Sequence, residues 1–181
     1  MSYRIVLEKE DFKFSGTHFT IFGPGRAERL HGHNYRVRCE FRVSSLDPEL
    51  EMAFDFNDVK PVLREITRSL DEFVLIPALS PHLRIERGEG NITIVFGPKL
   101  YVLPEEDVRL LPVTNLTSEA LARHIAEELK SRLKTRPETC PETRPETQLK
   151  TKENGTLAAI LSISIGVEET QGQGVYYETP Y

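Results

Sequence analysis

The chemistry-bearing residues cluster early. His31 and His33 flank Gly32 in "ERLHGHNY" (28–35), and His18 closes "FSGTHF" (14–19). In an extended segment, residues two apart project to the same side. His31 and His33 can therefore present two imidazoles to one ion, with Gly32 leaving backbone room between them. His18 ends an alternating segment that would pair with a strand beginning near Asn34, which brings a third imidazole close. Three neutral histidines with an open fourth position form a common catalytic zinc arrangement, whereas structural sites are usually closed and thiolate-rich. Without an ion, the same histidines would be satisfied by hydrogen bonds at a strand end.

The elements that must hold these residues are readable from periodicity. Tyr35, Val37, Cys39, Phe41 and Val43 alternate with polar residues, the period of a strand with one buried face. "DFKFSGTHF" alternates in the same sense, and "SYRIVLEK" starts that strand or a neighbour. "TLAAILSISIGVEET" and "GVYYE" read as two further strands around a turn at 171–174. Between these pairs, "NDVKPVLREITRSLDEF" and "TSEALARHIAEELKSRLK" carry apolar residues at helical spacing. Asn57 or Asp58 caps the first helix, with Pro61 in its first turn; Thr117 or Ser118 caps the second. The expected fold is α+β: an antiparallel four-stranded sheet with two helices on one face, in the order β-β-α-α-β-β.

Two segments interrupt this plan. A β-hairpin turning at "GPK" lies within an insertion at about 84–112, and a mobile Pro-Glu-Thr repeat loop spans about 135–154. The whole of 1–181 is read as a single domain. Cys140 falls in the repeat as an exposed thiol, while Cys39 belongs to the apolar face of a strand.

Composition narrows the function. Hydrophobic residues make up 39% of 181 and charged residues 28%, with a formal net charge of −5. That balance is globular and offers no basic field for nucleic acid. The charged start "MSYRIVLEKE" lacks the apolar core of a signal peptide, and no apolar run approaches the length of a membrane helix. The expectation is a cytoplasmic protein with no nucleic-acid or membrane partner.

The stretches "FSGTHF", "LHGHNY", "AFDFNDVKPVLREI", "LDEF", "LTSEALARHI" and "VEETQGQGVYY", in this order, resemble the 6-pyruvoyl-tetrahydropterin synthase family and its bacterial relative, 6-carboxy-tetrahydropterin synthase. The resemblance implies the tunnelling fold (T-fold), in which subunits join their sheets into a barrel, commonly a homohexamer built as a dimer of trimers. It implies Zn2+ on His18, His31 and His33, and a pterin substrate, 7,8-dihydroneopterin triphosphate. By match, Glu169 anchors the pterin ring with Thr170 beside it, and Thr117 and Ser118 are the helix-start hydroxyls that touch it. A carboxylate facing the paired N–H donors of the ring edge is chemically apt. Glu168 should face away by strand alternation.

The catalytic groups depart from the family pattern. A cysteine usually stands shortly before His-Gly-His, and an Asp-His pair closes the first helix. Here the upstream stretch is "GPGRAERL", and "LDEF" keeps Asp71 but has Glu72 in the histidine's place. Glu28 matches a variant branch with Glu-x-x-His-Gly-His, whose members cleave the substrate side chain to give 6-hydroxymethyl-7,8-dihydropterin. A carboxylate beside zinc can take a side-chain hydroxyl proton and start that retro-aldol cleavage; alternatively Glu28 pairs with Arg26 or Arg29. His82 can fold back over the site from its loop, and His124 is structural. Arg84, Arg87 and Lys99 of the insertion, with Arg26 and Arg29, can hold a triphosphate or remain solvated. Glu28, Asp71 and Glu72 are thus the candidate catalytic residues of a pterin lyase. The competing readings are 6-pyruvoyl- or 6-carboxy-tetrahydropterin synthase activity, and a zinc- and pterin-binding homologue without turnover.

Overall fold

The computed structural model describes residues 2–135 and 160–181. Residues 136–154 of the expected Pro-Glu-Thr loop, with Cys140, and the start of "TLAAILSISIGVEET" lie outside these.

The main sheet is built around one long strand, β5 (His31–Val43). Its residues Tyr35, Val37, Cys39, Phe41 and Val43 are all 2% exposed or less, as strict alternation requires. Two strands share one edge of β5 in succession. β1 (Tyr3–Leu7) pairs antiparallel with its far half, Leu7 opposite Cys39, and β2 (Lys13–His18) with its near half, His18 opposite His31. On the other edge lie β11 (Ile160–Thr170) and then β12 (Gln173–Pro180), both antiparallel.

The four antiparallel strands expected from the sequence form the centre of a larger sheet. β6 (Phe73–Pro77) adds to β2 in parallel, Gly16 opposite Phe73, and β10 (Val108–Leu111) adds in parallel to β6. With β1 the sheet has seven strands rather than four among the described residues. "FVLIP" escapes a period-two search because Leu75, Ile76 and Pro77 are buried in succession, leaving an apolar run without alternation. A short ribbon, β3 (Ile21–Gly23) with β4 (Arg26–Ala27), precedes β5.

Two helices cover one face. α1 (Phe56–Arg68) buries Val59, Val62, Leu63 and Ile66; α2 (Ser118–Thr135) buries Leu121, Ala122, Ile125, Ala126, Leu129 and Leu133. These pack with Phe12, Phe14, Ile163, Ile165 and Val167 into one core. Each large aliphatic side chain buried there stabilises the fold by about 1.5–3 kcal/mol. Thr117 caps α2, its hydroxyl accepting from the Ala120 amide at 3.2 Å. The α1 cap is Asp55, not Asn57 or Asp58: its carboxylate accepts from the Asn57 amide at 2.8 Å. The earlier start moves Pro61 beyond the first turn, where the missing N–H denies the Asn57 carbonyl its intrahelical donor.

The expected hairpin carries a third strand. β7 (Arg84–Gly88), β8 (Asn91–Phe96) and β9 (Lys99–Pro104) form an antiparallel meander, with Gly97 at φ 53° in the β8–β9 turn. Ile92, Ile94 and Phe96 bury against Phe19, Ile21, Ile76 and Val108, a second apolar cluster. Phe14 lies in one cluster and Phe19 in the other, so His18, at the end of β2, sits where they meet.

The cap assignment is testable by urea denaturation. Asp55→Ala should cost about 1 kcal/mol of stability, whereas Asn57→Ala should leave the midpoint nearly unchanged.

Candidate functional site

Strand register assembles the histidines. His18 is paired with His31 and Gly16 with His33, so all three imidazoles project from the helix-covered face of two neighbouring strands. Ring centroids of His18 lie 4.8 Å from His31 and 5.3 Å from His33, and those of His31 and His33 are 4.7 Å apart. The expected role of Gly32 is not needed. A Cβ there would meet Thr17 Oγ1 at 3.5 Å, an ordinary contact, so the backbone room is not what demands glycine.

Hydrogen bonds fix which nitrogen each ring offers. His18 Nδ1 lies 3.1 Å from the Leu116 carbonyl, and His31 Nδ1 lies 2.8 Å from the Arg29 carbonyl. A carbonyl only accepts, so Nδ1 carries the proton in both rings and Nε2 presents a lone pair. This is the arrangement by which ligating histidines are usually oriented.

Glu169 completes the group. It continues the inward face of Ile163, Ile165 and Val167, at an irregularity in the β11–β12 pairing between Glu168 and Thr170. Bulges of this kind re-aim a side chain near sites. Its Oε1 lies 3.0 Å from His18 Nε2 and 3.2 Å from His33 Nε2. The Tyr35 hydroxyl donates to Oε1 at 3.3 Å and the Ser118 hydroxyl to Oε2 at 3.2 Å. Burial, and then the Glu169 charge, raise the Tyr35 pKa, so the phenol stays a donor.

Could these residues hold a metal ion? One ligand atom each from His18, His31, His33 and Glu169 all lie within 4.8 Å of one another. His18 Nε2 is buried and finds no donor, although the carboxylate oxygen stands 3.0 Å away. Two lone pairs facing each other call for a cation between them. Burial lowers the His18 pKa most, outweighing the Leu116 bond and the Glu169 charge that oppose it, and His31 and His33 lower it further. The ring is thus held neutral, as a metal ligand must be. The donor set of imidazole nitrogens and one carboxylate suits zinc.

Glu28 follows β4, and its partner is neither Arg26 nor Arg29. Its amide donates to the Thr20 carbonyl at 3.0 Å, and its Oε2 accepts from the Thr20 amide at 2.9 Å. Burial acts to raise its pKa, but the Thr20 hydrogen bonds and the nearby His31 and His18 together win and lower it. The carboxylate is therefore ionised at neutral pH, near enough to His31 and His18 to feel their charge. Lys99, at the start of β9, donates from Nζ to the Glu28 carbonyl at 2.8 Å, tying the insertion to this loop.

The remaining candidates are placed as follows. Ser118 joins the group through Glu169, while Thr117 serves the helix cap. Thr170 is exposed and its hydroxyl donates to Gln173 across the β11–β12 turn; Glu168 turns away to accept from the Gly172 amide at 2.8 Å. Asp71 and Glu72 lie past the end of α1 and bracket Ser15. Asp71 Oδ1 accepts from the Ser15 amide and the Glu72 amide donates to the Ser15 carbonyl, each at 2.7 Å, with Glu72 at φ 63°. Neither reaches the imidazoles through these contacts. His82 is exposed, and His124 lies in α2 with its pKa lowered by burial. Arg84 and Arg87 pair with Glu86 and Glu105.

Periodicity gave no sign of the clamp formed by Asn115 and Leu116. The Leu116 carbonyl also accepts from the Thr20 hydroxyl at 3.1 Å, and the Asn115 amide group pairs with both the N–H and C=O of Ile21. Tyr35 was expected only as core. Its direct attachment to Glu169 has one sequence cue, its place two residues beyond His33 on the same face.

A sheet with two helices on one face, carrying at its strand ends three histidines and a carboxylate that could hold a metal ion, is that of a T-fold protein. The sequence profile of the family described as 6-pyruvoyl tetrahydropterin synthase matches residues 7–179. This chain belongs to the 6-pyruvoyl tetrahydropterin synthase family, and its function is that of a pterin synthase-family protein. Two archaeal relatives carry the name 6-carboxy-5,6,7,8-tetrahydropterin synthase as a provisional assignment. The one from Pyrococcus abyssi is 34% identical over 68% of this chain and 71% of its own length; that from Methanocaldococcus jannaschii is 31% identical over 64% and 70%. The solved structure of the Plasmodium vivax 6-pyruvoyl tetrahydropterin synthase superposes with a TM-score of 0.82 at 23% identity, covering 100% of this chain and 99% of that one. The same enzyme has also been solved with a glutamate, described as a catalytic residue, replaced by alanine and by cysteine. Among the described residues, no helix is long and apolar enough to cross a membrane.

Two measurements check the site. After incubation with zinc, metal analysis should find clearly less metal retained by His31→Ala than by the unsubstituted protein. Lys99→Met should speed hydrogen exchange at the Glu28 amide while leaving bound zinc unchanged.

Proposed function

We propose that this protein is a zinc-dependent pterin lyase that cleaves the side chain of 7,8-dihydroneopterin triphosphate, or a close pterin, to 6-hydroxymethyl-7,8-dihydropterin. One observation carries the reading: an ionised carboxylate, Glu28, held by Thr20 near His31 and His18, in a group whose three histidines and Glu169 each offer a ligand atom within 4.8 Å of the others. His18, His31 and His33 hold the zinc. When bound, zinc supplies Lewis acidity that lowers the proton affinity of a side-chain hydroxyl.

Glu28 takes the proton from the C2′ hydroxyl. The C1′–C2′ bond breaks as the C2′ carbon becomes an aldehyde, and the electron pair passes to C1′, conjugated with the ring imine. Protonation at C1′ then gives the hydroxymethyl product, with glycolaldehyde triphosphate as the second. A carboxylate of lowered pKa is a weak base, so the acidified hydroxyl is what makes Glu28 sufficient. Glu169 anchors the ring edge, with Ser118 beside it. The relative in which a glutamate is described as catalytic supports a carboxylate in this role.

Asp71 and Glu72 make their contacts at Ser15 rather than at the imidazoles, and among the described residues β10 and β12 are the edges of the sheet. We therefore include a homo-oligomer, a hexamer of two trimers, in which these acids serve a neighbouring copy's site. Open sheet edges are where such joining occurs. The provisional names of the archaeal relatives favour a second reading, 6-carboxy-tetrahydropterin synthesis; the lack of a cysteine before His31 counts against it.

The test is product analysis by mass after incubating zinc-loaded protein with 7,8-dihydroneopterin triphosphate. 6-Hydroxymethyl-7,8-dihydropterin should form, and Glu28→Gln should lower kcat by about 10²–10⁴-fold. A carboxy- or pyruvoyl-tetrahydropterin product would replace the cleavage reading. No product at all would leave a binding protein.

A further inference from the structure

Glu169 is asked to do two incompatible things. As a pterin anchor, it must turn both carboxylate oxygens toward the two parallel N–H donors of the ring edge. In this structure its Oε1 instead points into the histidine group, 3.0 Å from His18 Nε2 and 3.2 Å from His33 Nε2. Ligands at about 2.1 Å from a tetrahedral zinc stand about 3.4 Å apart, so these separations are close to those of neighbouring ligands on one ion. The carboxylate is steadied there by the Tyr35 hydroxyl on Oε1 and the Ser118 hydroxyl on Oε2. His18 offers no proton to hold it, since Nδ1–H is committed to Leu116 and Nε2 is a buried lone pair.

We propose that Glu169 is a fourth metal ligand in the resting protein and leaves the metal to receive the pterin ring, so that substrate arrival opens the position its own side chain then fills. This rests on the reading above that the site binds zinc and a pterin. The resting site is closed by three imidazoles and one carboxylate, the ligand count of an inert centre. Opening is coupled to recognition, because only a ligand presenting the paired N–H edge gives Glu169 an alternative partner. A substrate with side-chain hydroxyls supplies the replacement ligand. A pterin without them takes Glu169 and returns nothing to the metal.

That asymmetry gives a test needing no turnover and no variant. 6-Methylpterin has the ring edge but no side-chain hydroxyl, and its binding can be measured by fluorescence to metal-free and zinc-loaded protein. It should bind the zinc-loaded form at least about tenfold more weakly. By linkage, saturating 6-methylpterin should weaken zinc binding by the same factor, read by competition with a chelating dye. Neopterin, with its hydroxyls, should lose this penalty. In Co2+-loaded protein, neopterin should also shift the visible absorption bands, as one carboxylate ligand is replaced. Equal 6-methylpterin affinity for both forms would overturn the exchange while leaving the pterin site in place. Binding to neither form would overturn the exchange together with pterin recognition itself. Exchange behaviour as expected, with no product from the triphosphate, would sustain this proposal and remove only the lyase activity.

Discussion

The antiparallel register of β2 on β5 is the constraint on which the site depends. It sets His18 opposite His31 and Gly16 opposite His33. Side chains alternate with period two, so a slip of one residue would send His18 to the opposite face from the other two imidazoles. The register is secured by an aromatic pair at the edge of the site. Phe14 is opposite Tyr35 and stacks on it at 4.8 Å, and both rings are buried in the core beneath the helices. Hydrophobic packing of the Tyr35 ring thus fixes the polar geometry that its own hydroxyl joins at Glu169.

A second layer of control comes from far along the chain. The segment just before α2 supplies the Leu116 carbonyl to His18 and Thr20 and the Asn115 amide group to Ile21. Those bonds choose the His18 tautomer and hold the start of the β3–β4 ribbon, which carries Glu28 toward the histidines. The cap of α2 by Thr117 and the contact of Ser118 with Glu169 follow within two residues. One turn of chain therefore positions the imidazole, the ribbon and Glu169 together. The insertion then reaches the same ribbon from outside, through Lys99 on the Glu28 carbonyl.

Electrostatics divides the two carboxylates. Glu28 is satisfied by Thr20 and lies beside the imidazoles, which keeps it ionised and available. Glu169 is shared among two imidazoles and two hydroxyls. The same functional group is thus held in two different electrostatic settings, each set by its neighbours.

Local pattern determined much of this protein. Alternation in 35–43 and 12–18 marked the strands and the face carrying the histidines; helical spacing marked α1 and α2; the quoted motifs marked the family, Glu28 and Glu169. Each depends on neighbours along the chain, where period and turn chemistry operate. What tertiary structure alone decided was which distant groups meet. The parallel strand β6 is an apolar run with no period to read, β10 is only four residues long and carries Arg109, and Asp55 displaced the expected caps by starting α1 earlier. Leu116 on His18 joins residues 98 positions apart, and Tyr35 on Glu169 joins residues 134 apart. A backbone carbonyl has no residue type, so no motif can announce that it will choose a histidine's tautomer. Only the folded chain brings that carbonyl to the ring.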